Sequence, residues 1–467
     1  MEAQKLKEEL FNQKKVGWEK VSDEEKNNIF QFAEEYMYYL NHSKTEKEIV
    51  ESSKDILLKN NFRDLETVDE LHPGDRVYFI NKNRNIYAAV IGEEPITKGL
   101  RVVAAHADSP RLDLKQNPLY ESDGIAYFKT HYYGGIRKYQ WATIPLAMHG
   151  LFVKSNGDKV YAIYGEDDKE PTLMVSDLPP HLSSTQDERK LKEGISGEEL
   201  NIMVGSLPYA TPDKISEKIK LNILSILNQK YGIKEVDFTT SEIEFVPAFK
   251  ARSMGFDSSM VAAYGQDDKV CSYSALRGIL NVTNPKKTAV CVLTDREEVG
   301  FMGVSGMESR IFETFVAEML DKKGENAPNA LEKTFSHSKA LSADVDAAID
   351  PNYPDVFDKL NNSKLGLGVC MVKYGGARGK SGSSEAPAEF VAEVRKIFDD
   401  NGISYHSSEL GKVDKSGGGT IALTLANRGM EVLDCGVPIL CMHSPYEVCS
   451  KYDVYQAYRA YEAFYKG

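Results

Sequence analysis

Thr288 to Gly300 reads TAVCVLTDREEVG: an apolar run rich in β-branched residues, Ala289 to Leu293, halts at Asp295-Arg296-Glu297-Glu298 and meets Gly300. A run this short, bounded by polar and glycine signals, predicts a strand buried on both faces of a parallel sheet. Ligands of open α/β sheets bind outside the carboxyl ends of the strands. Two adjacent carboxylates at such an end point apart, so one can hold a metal while the other faces the water on that metal. The pattern recurs. Leu100 to Ala105 ends in His106-Ala107-Asp108, Ala340 to Ala343 ends in Asp344, and Val437 to Met442 ends in His443. Neutral imidazole with carboxylate suits zinc, with manganese or cobalt as alternatives. Singly these residues mean little: Asp344 reads as a helix cap, and a Glu-Glu pair as a solvated helix start. The metal site rests on their coincidence at four candidate strand ends.

The chain around them has 467 residues, enough for two or three domains. A hydrophobic content of 42% is ordinary for a globular protein. The net charge of −13, spread along the chain, argues against nucleic acid or an anionic membrane as a partner. No apolar stretch approaches the ~20 residues of a membrane-spanning helix. Met1 to Lys5 has no apolar core, so a signal peptide is not expected there. The six cysteines form no C-x-x-C pair and several lie in apolar runs. Buried free thiols in a reducing cytoplasm are expected, rather than disulfides or a thiolate zinc site.

Ser22 with Glu25, and Thr45 with Glu48, form capping boxes that predict two N-terminal helices. Arg76 to Ile80 and Tyr87 to Ile91 predict strands joined by a turn. From 111 to 249 the pattern changes to alternating strands, with a hairpin about Asn156-Gly157 and a helix capped by Thr211 with Pro212 at its first position. The block separates His106 from every other candidate ligand. It predicts an inserted β-rich domain, serving as lid or dimer interface, within an α/β catalytic domain of residues 1–110 and 250–467. That catalytic domain should hold a mixed, largely parallel sheet flanked by helices. Asp267-Asp268 precede Val270-Cys271-Ser272, and Ala275-Leu276 looks like a helix start. Gly417-Gly418-Gly419-Thr420 leads into an apolar helix, Ile421 to Ala426. Either it cradles an anion, with Gly418 in a binding role, or it permits close backbone approach.

Several motifs fail. Gly379-Lys380-Ser381 lacks the glycine spacing of a P-loop. No G-x-G-x-x-G follows a strand, and neither H-E-x-x-H nor G-x-S-x-G occurs.

HADSPRLDLK (His106 to Lys115), REEVG (Arg296 to Gly300), SAD (Ser342 to Asp344), PNYP (Pro351 to Pro354), SGGGT (Ser416 to Thr420) and MHSPYE (Met442 to Glu447) occur in an order that resembles the aspartyl aminopeptidase and aminopeptidase I family. The resemblance spans nearly the whole chain and implies a dinuclear zinc exopeptidase with a β-rich dimerisation domain, assembled as a dodecamer built from dimers. It implies that His106, Asp268, Glu298, Asp344 and His443 ligate two zinc ions, with Asp268 preferred over Asp267 as the bridge. It makes Glu297 the general base and places Asp108 behind the His106 imidazole. His181 resembles a family histidine of the inserted domain that reaches an active site or shapes the substrate pocket. Eukaryotic members carry histidines where this chain has Ala347 and Asp350, and the segment 373–385 also departs from their pattern. Lys373, Arg378 and Lys380 could hold an acidic substrate side chain, or be solvated loop charges, so an acidic and a broad or neutral preference are both expected. The substrate is expected to be a peptide with a free N-terminus. The rivals are a metal-dependent deacylase or carboxypeptidase of related fold, and a non-catalytic self-assembling scaffold.

Overall fold

The computed structural model describes residues 2–11 and 17–467. Met1, from which the signal-peptide expectation begins, lies outside the described residues. The frame is a nine-stranded mixed sheet. At its centre are four parallel strands: β1 (Arg101–His106), β2 (Ala289–Thr294), β3 (Lys339–Ser342) and β4 (Glu431–Gly436), side by side in the order β2-β1-β3-β4. Antiparallel strands flank them, Asn85–Val90 beside β2 and Val369–Val372 beside β4.

Alternation along β1 and β2 explains the apolar runs. Val103, Ala105, Cys291 and Leu293 pack under the helices Asp23–His42, Gln266–Ile279 and Lys451–Lys466. Val102, Ala104, Val290 and Val292 pack on the other face, under Ile311–Lys322, Ala330–Ser336 and Ile421–Ala426. Both faces are covered, so neither has polar positions to alternate with apolar ones. The cores are closed by capped helices. Thr45 and Glu48 make a reciprocal box on Glu46–Lys59, and Ser22 accepts from the Glu25 amide at 3.1 Å. The expected strand pair before β1 is present as Arg76–Asn81 against Asn85–Val90.

All the strands of a separate seven-stranded sheet lie between Arg111 and Pro247. Its long hairpin, Leu146–Val153 with Lys159–Tyr164, turns at Asn156-Gly157 as expected. The helix expected at Thr211 begins later, at Lys218. Thr211 spends its hydroxyl on the Asp213 amide, a local turn, and Ile215 is exposed. Burial begins only at Ile219, so packing rather than the Thr-Pro signal sets the start. The helix expected at Ala275 starts earlier: Asp267 and Asp268 break the turn that opens at Gln266, and the regular helix follows them.

One expected strand divides. Val437 to Met442 does not end the main sheet; β4 precedes it, and Pro438–Leu440 belongs to a third, five-stranded sheet with Glu447–Ser450 and Met260–Ala263. A Cβ at Gly436 would lie 1.6 Å from the Asp344 carbonyl oxygen. The chain can cross there only because that residue has no side chain.

Candidate metal centre

Parallel register aligns the strand ends. Thr294 pairs with His106 and Ser342 with Ala104, so the residues that follow β2 and β3 emerge beside the His106 ring. At Arg296 the chain turns through φ 69°, which brings Glu297 and Glu298 back over the rim. His443 approaches from the five-stranded sheet, through a turn in which Cys441 and His443 both have positive φ.

Asp267 lies at the middle. Its Oδ1 is 3.1 Å from His106 Nε2 and its Oδ2 is 3.1 Å from His443 Nε2. Around the first imidazole, Asp344 stands 3.7 Å and Glu297 4.0 Å from Nε2. Around the second, Glu298 stands 3.4 Å from Nε2. Ligand atoms of His106, Asp268 and Asp344 form one close group, His106, Glu297 and Glu298 another, and Asp267, Glu298 and His443 a third. The expected preference for Asp268 is therefore reversed at one point: the carboxylate between the two imidazoles is that of Asp267. Asp268 accepts the His106 backbone amide at 3.2 Å through Oδ2. Adjacent residues leave the chain in different directions, and spacing alone could not choose between them.

Each imidazole is aimed by its other nitrogen. His106 Nδ1 lies 2.9 Å from the Asp108 carbonyl oxygen, and His443 Nδ1 2.7 Å from that of Gly135. Donation there leaves Nε2 with its lone pair facing the carboxylates, the tautomer a metal ligand needs. The expectation for Asp108 needs refinement. Its carbonyl makes the short contact, while its carboxyl Oδ1 stands 3.4 Å from the ring. The carboxylate instead accepts the amides of Glu297 at 3.1 Å and Glu298 at 3.2 Å, and the Tyr133 hydroxyl at 2.7 Å.

The electrostatics reflect how closely the acids are crowded. Burial raises the Glu297 and Glu298 carboxyls well above the usual range, and the surrounding carboxylates add to it against the pull of the histidines. Burial and then Asp344 raise Asp268 likewise. Burial would lower His443, but Asp267 and Glu298 lift it to about 10. Asp267 is held low by its bonds to His106 and His443, against its burial. Two buried carboxylate oxygens, Asp268 Oδ1 and Glu298 Oε1, have no hydrogen-bond partner. Crowded acids in a low-dielectric pocket, with unspent oxygens and two imidazole Nε2 atoms turned inward, are a donor set for cations, which would bind in place of the imidazole protons. The residues present fit a pair of divalent ions.

Four contributors were not anticipated. Tyr133, Gly134 and Gly135 come from the seven-stranded sheet's own segment, yet a Cβ on Gly134 would lie 3.2 Å from Glu298 Oε2. A Tyr-Gly-Gly after a strand was the available signal. Glu447, fully buried, accepts the His443 amide at 2.7 Å and the Asp267 amide at 3.1 Å.

The tentative substrate residues lie elsewhere. His181 is exposed and outside the three groups. Lys373 and Lys380 both face Glu385, at 3.7 and 3.1 Å, and Arg378 is exposed. The Gly418 carbonyl accepts from the Gly376 amide at 3.0 Å, and a Cβ on Gly417 would lie 2.6 Å from the Ala377 Cα. Of the two readings of that loop, these contacts correspond to close backbone approach.

Residues 39–465 match the family model for the aminopeptidase I zinc metalloprotease, M18. A probable M18 family aminopeptidase 1 of Clostridium acetobutylicum is 45% identical over 98% of this chain and 99% of its own. The crystal structure of an M18 aminopeptidase from Thermotoga maritima superposes with a TM-score of 0.94 at 41% identity, covering 98% of this chain and 100% of that one. A Saccharomyces cerevisiae dodecamer, mApe1, shares the fold at 20% identity and a TM-score of 0.75, over 94% of this chain and 97% of that one. Matched over nearly all of its length in sequence and in fold, the chain belongs to the aminopeptidase I zinc metalloprotease family.

Proposed function

We propose that this aminopeptidase removes the N-terminal residue of peptides at a centre for two zinc ions that share Asp267. His106 and Asp344 would hold one ion with it, and His443 and Glu298 the other. The observation that carries this reading is the Asp267 carboxylate, which turns one oxygen to each imidazole at 3.1 Å. When bound, such a pair supplies Lewis acidity toward the scissile carbonyl and makes water more acidic; manganese or cobalt would substitute. Glu297 takes the proton of the attacking water and returns it to the leaving amine. Asp108 fixes the Glu297-Glu298 turn by its two amide bonds, and Asp268 supports His106 from its backbone. The free amine of the substrate lies among the carboxylates, which limits cleavage to the first peptide bond.

A broad or neutral side-chain preference is favoured over an acidic one. Lys373 and Lys380 share the Glu385 carboxylate, which offsets one of their two charges, so an acidic side chain would have to compete with it. Residues 111–249 act as an inserted dimerisation and lid domain. Exposed Leu178, Leu182 and Leu191 lie on the segment that carries His181, and a second copy would cover them and put that histidine near a neighbouring active site. By likeness to the yeast dodecamer, the assembly is a dodecamer built from dimers. The six cysteines are all free, five of them buried, which suits the cytoplasm; among the described residues no helix is long and apolar enough to cross a membrane.

The test is turnover of paired peptides, one with a free N-terminus and one acetylated, by the zinc-loaded protein. Release of the first residue from the free peptide alone is expected. Equal cleavage of the acetylated peptide would move the assignment to a deacylase, and an inert protein to a scaffold. A panel of aminoacyl amides then ranks acidic against neutral side chains.

A further inference from the structure

Glu447 has no part in the ligand set, yet it is fully buried and spends both carboxylate oxygens on residues that are in it. Oε1 accepts the His443 amide at 2.7 Å and Oε2 accepts the Asp267 amide at 3.1 Å. These two residues are 176 positions apart in the numbering and come from different elements. The strand Glu447–Ser450 pairs with Met260–Ala263, with Glu447 opposite Ala263. From Ala263 the chain turns at Gly265 (φ 71°) toward Asp267, and on the other side the tight turn through Cys441 and His443 leads into Glu447. Both turns therefore converge on one carboxylate. The Glu447 carbonyl also accepts from the Gln266 side chain at 2.7 Å, so the residue is held at its main chain as well.

We propose that Glu447 is a positioning residue that fixes the separation of Asp267 and His443, and thereby builds the zinc site these two share with Glu298. This rests on the two-metal reading above. Asp108 does the same from the opposite wall for Glu297 and Glu298, so the ligands of that zinc are set by two carboxylates that each grip a pair of backbone amides. The Asp344 and His106 side of the centre makes no bond to Glu447, and its zinc depends on the clamp only through Asp267. A clamp of this kind acts on one metal before the other. Outer-shell partners of metal ligands change metal affinity or activity by about 10–100-fold when replaced.

The experiment measures zinc per subunit and kcat for the wild type, Glu447→Gln and Glu447→Asp, dialysed against a graded zinc chelator. Glutamine has the same shape but turns an N–H group toward one of the two amides. Aspartate keeps the charge but is too short to span both. The wild type is expected to hold two zinc ions over a range of chelator in which each folded variant holds about one. In that range kcat should fall by about 10–100-fold, and excess zinc should restore most of it. A folded variant that keeps both ions with wild-type kcat, or loses both together, overturns the clamp. A wild type that never takes up a pair of ions overturns the two-metal reading itself, which separates the two failures.

Discussion

At the residue scale the proposed centre gives two adjacent acids different work. Glu298 lies within 3.4 Å of His443, whereas Glu297 reaches toward His106 only at 4.0 Å. The second geometry leaves room between Glu297 and the ligands, which a base acting through water requires. Glu297→Gln should keep its metal and its fold yet lose turnover by about 10²–10⁴-fold. Steady-state hydrolysis alongside zinc analysis checks it, and near-wild-type hydrolysis would remove Glu297 from the role. Identity of the acids was legible from the sequence; their directions were not. Asp267 and Asp268 are neighbours with the same functional group, and only the main-chain torsions between them decide which faces the imidazoles. Glu447 was hidden for another reason. It looks like the polar start of an apolar strand, and its importance lies in backbone amides that carry no sequence signal.

At the element scale, strand ends do the positioning. β1, β2 and β3 were readable because both faces of each are buried, which turns an alternating pattern into a continuous run. The same logic failed at Val437 to Met442. An apolar run cannot show that a chain has left one sheet for another, and the crossing is marked only by Gly436. That glycine gives a sharp test. Its absent side chain is what lets β4 pass the carbonyl of Asp344, at a contact no Cβ could make. Gly436→Ala should destabilise the protein by about 1–3 kcal/mol, the usual result of overpacking, and lower zinc affinity by moving Asp344. Denaturant unfolding with metal titration would show both. A variant with unchanged stability and unchanged zinc content would mean that the crossing is looser than the contact implies.

At the scale of the whole molecule, the seven-stranded sheet is joined to the catalytic part by buried charge. His149 lies between Glu48, at 2.6 Å, and Glu166, at 3.0 Å, while Lys44 holds Glu166 and the Pro247 carbonyl. Glu48 is also the capping residue of the helix Glu46–Lys59. Burial alone would lower the His149 imidazole, but Glu48 and Glu166 raise it to about 9. Its ordinary value is about 6.5. A folded-state value above the unfolded one stabilises fully below about pH 6.5, and that stability is lost as pH rises through about 9. His149→Gln should therefore be less stable than the wild type at pH 6, with the gap narrowing as the pH approaches 9. Thermal melts across that range measure it; a gap that stays constant with pH would show that His149 contributes only by packing.

The place where the seven-stranded sheet interrupts the chain has one more effect. β1 ends at His106 before the excursion, and its neighbours on both sides, β2 and β3, follow after the return. A protease that nicked the exposed stretch about His181 would leave one fragment with the middle strand and a single imidazole, and another with every remaining donor. Neither piece owns a complete sheet or a complete cage for an ion. The halves of a cut molecule would have to stay threaded together to work at all, so cleavage there need not silence the enzyme, while pulling the fragments apart must.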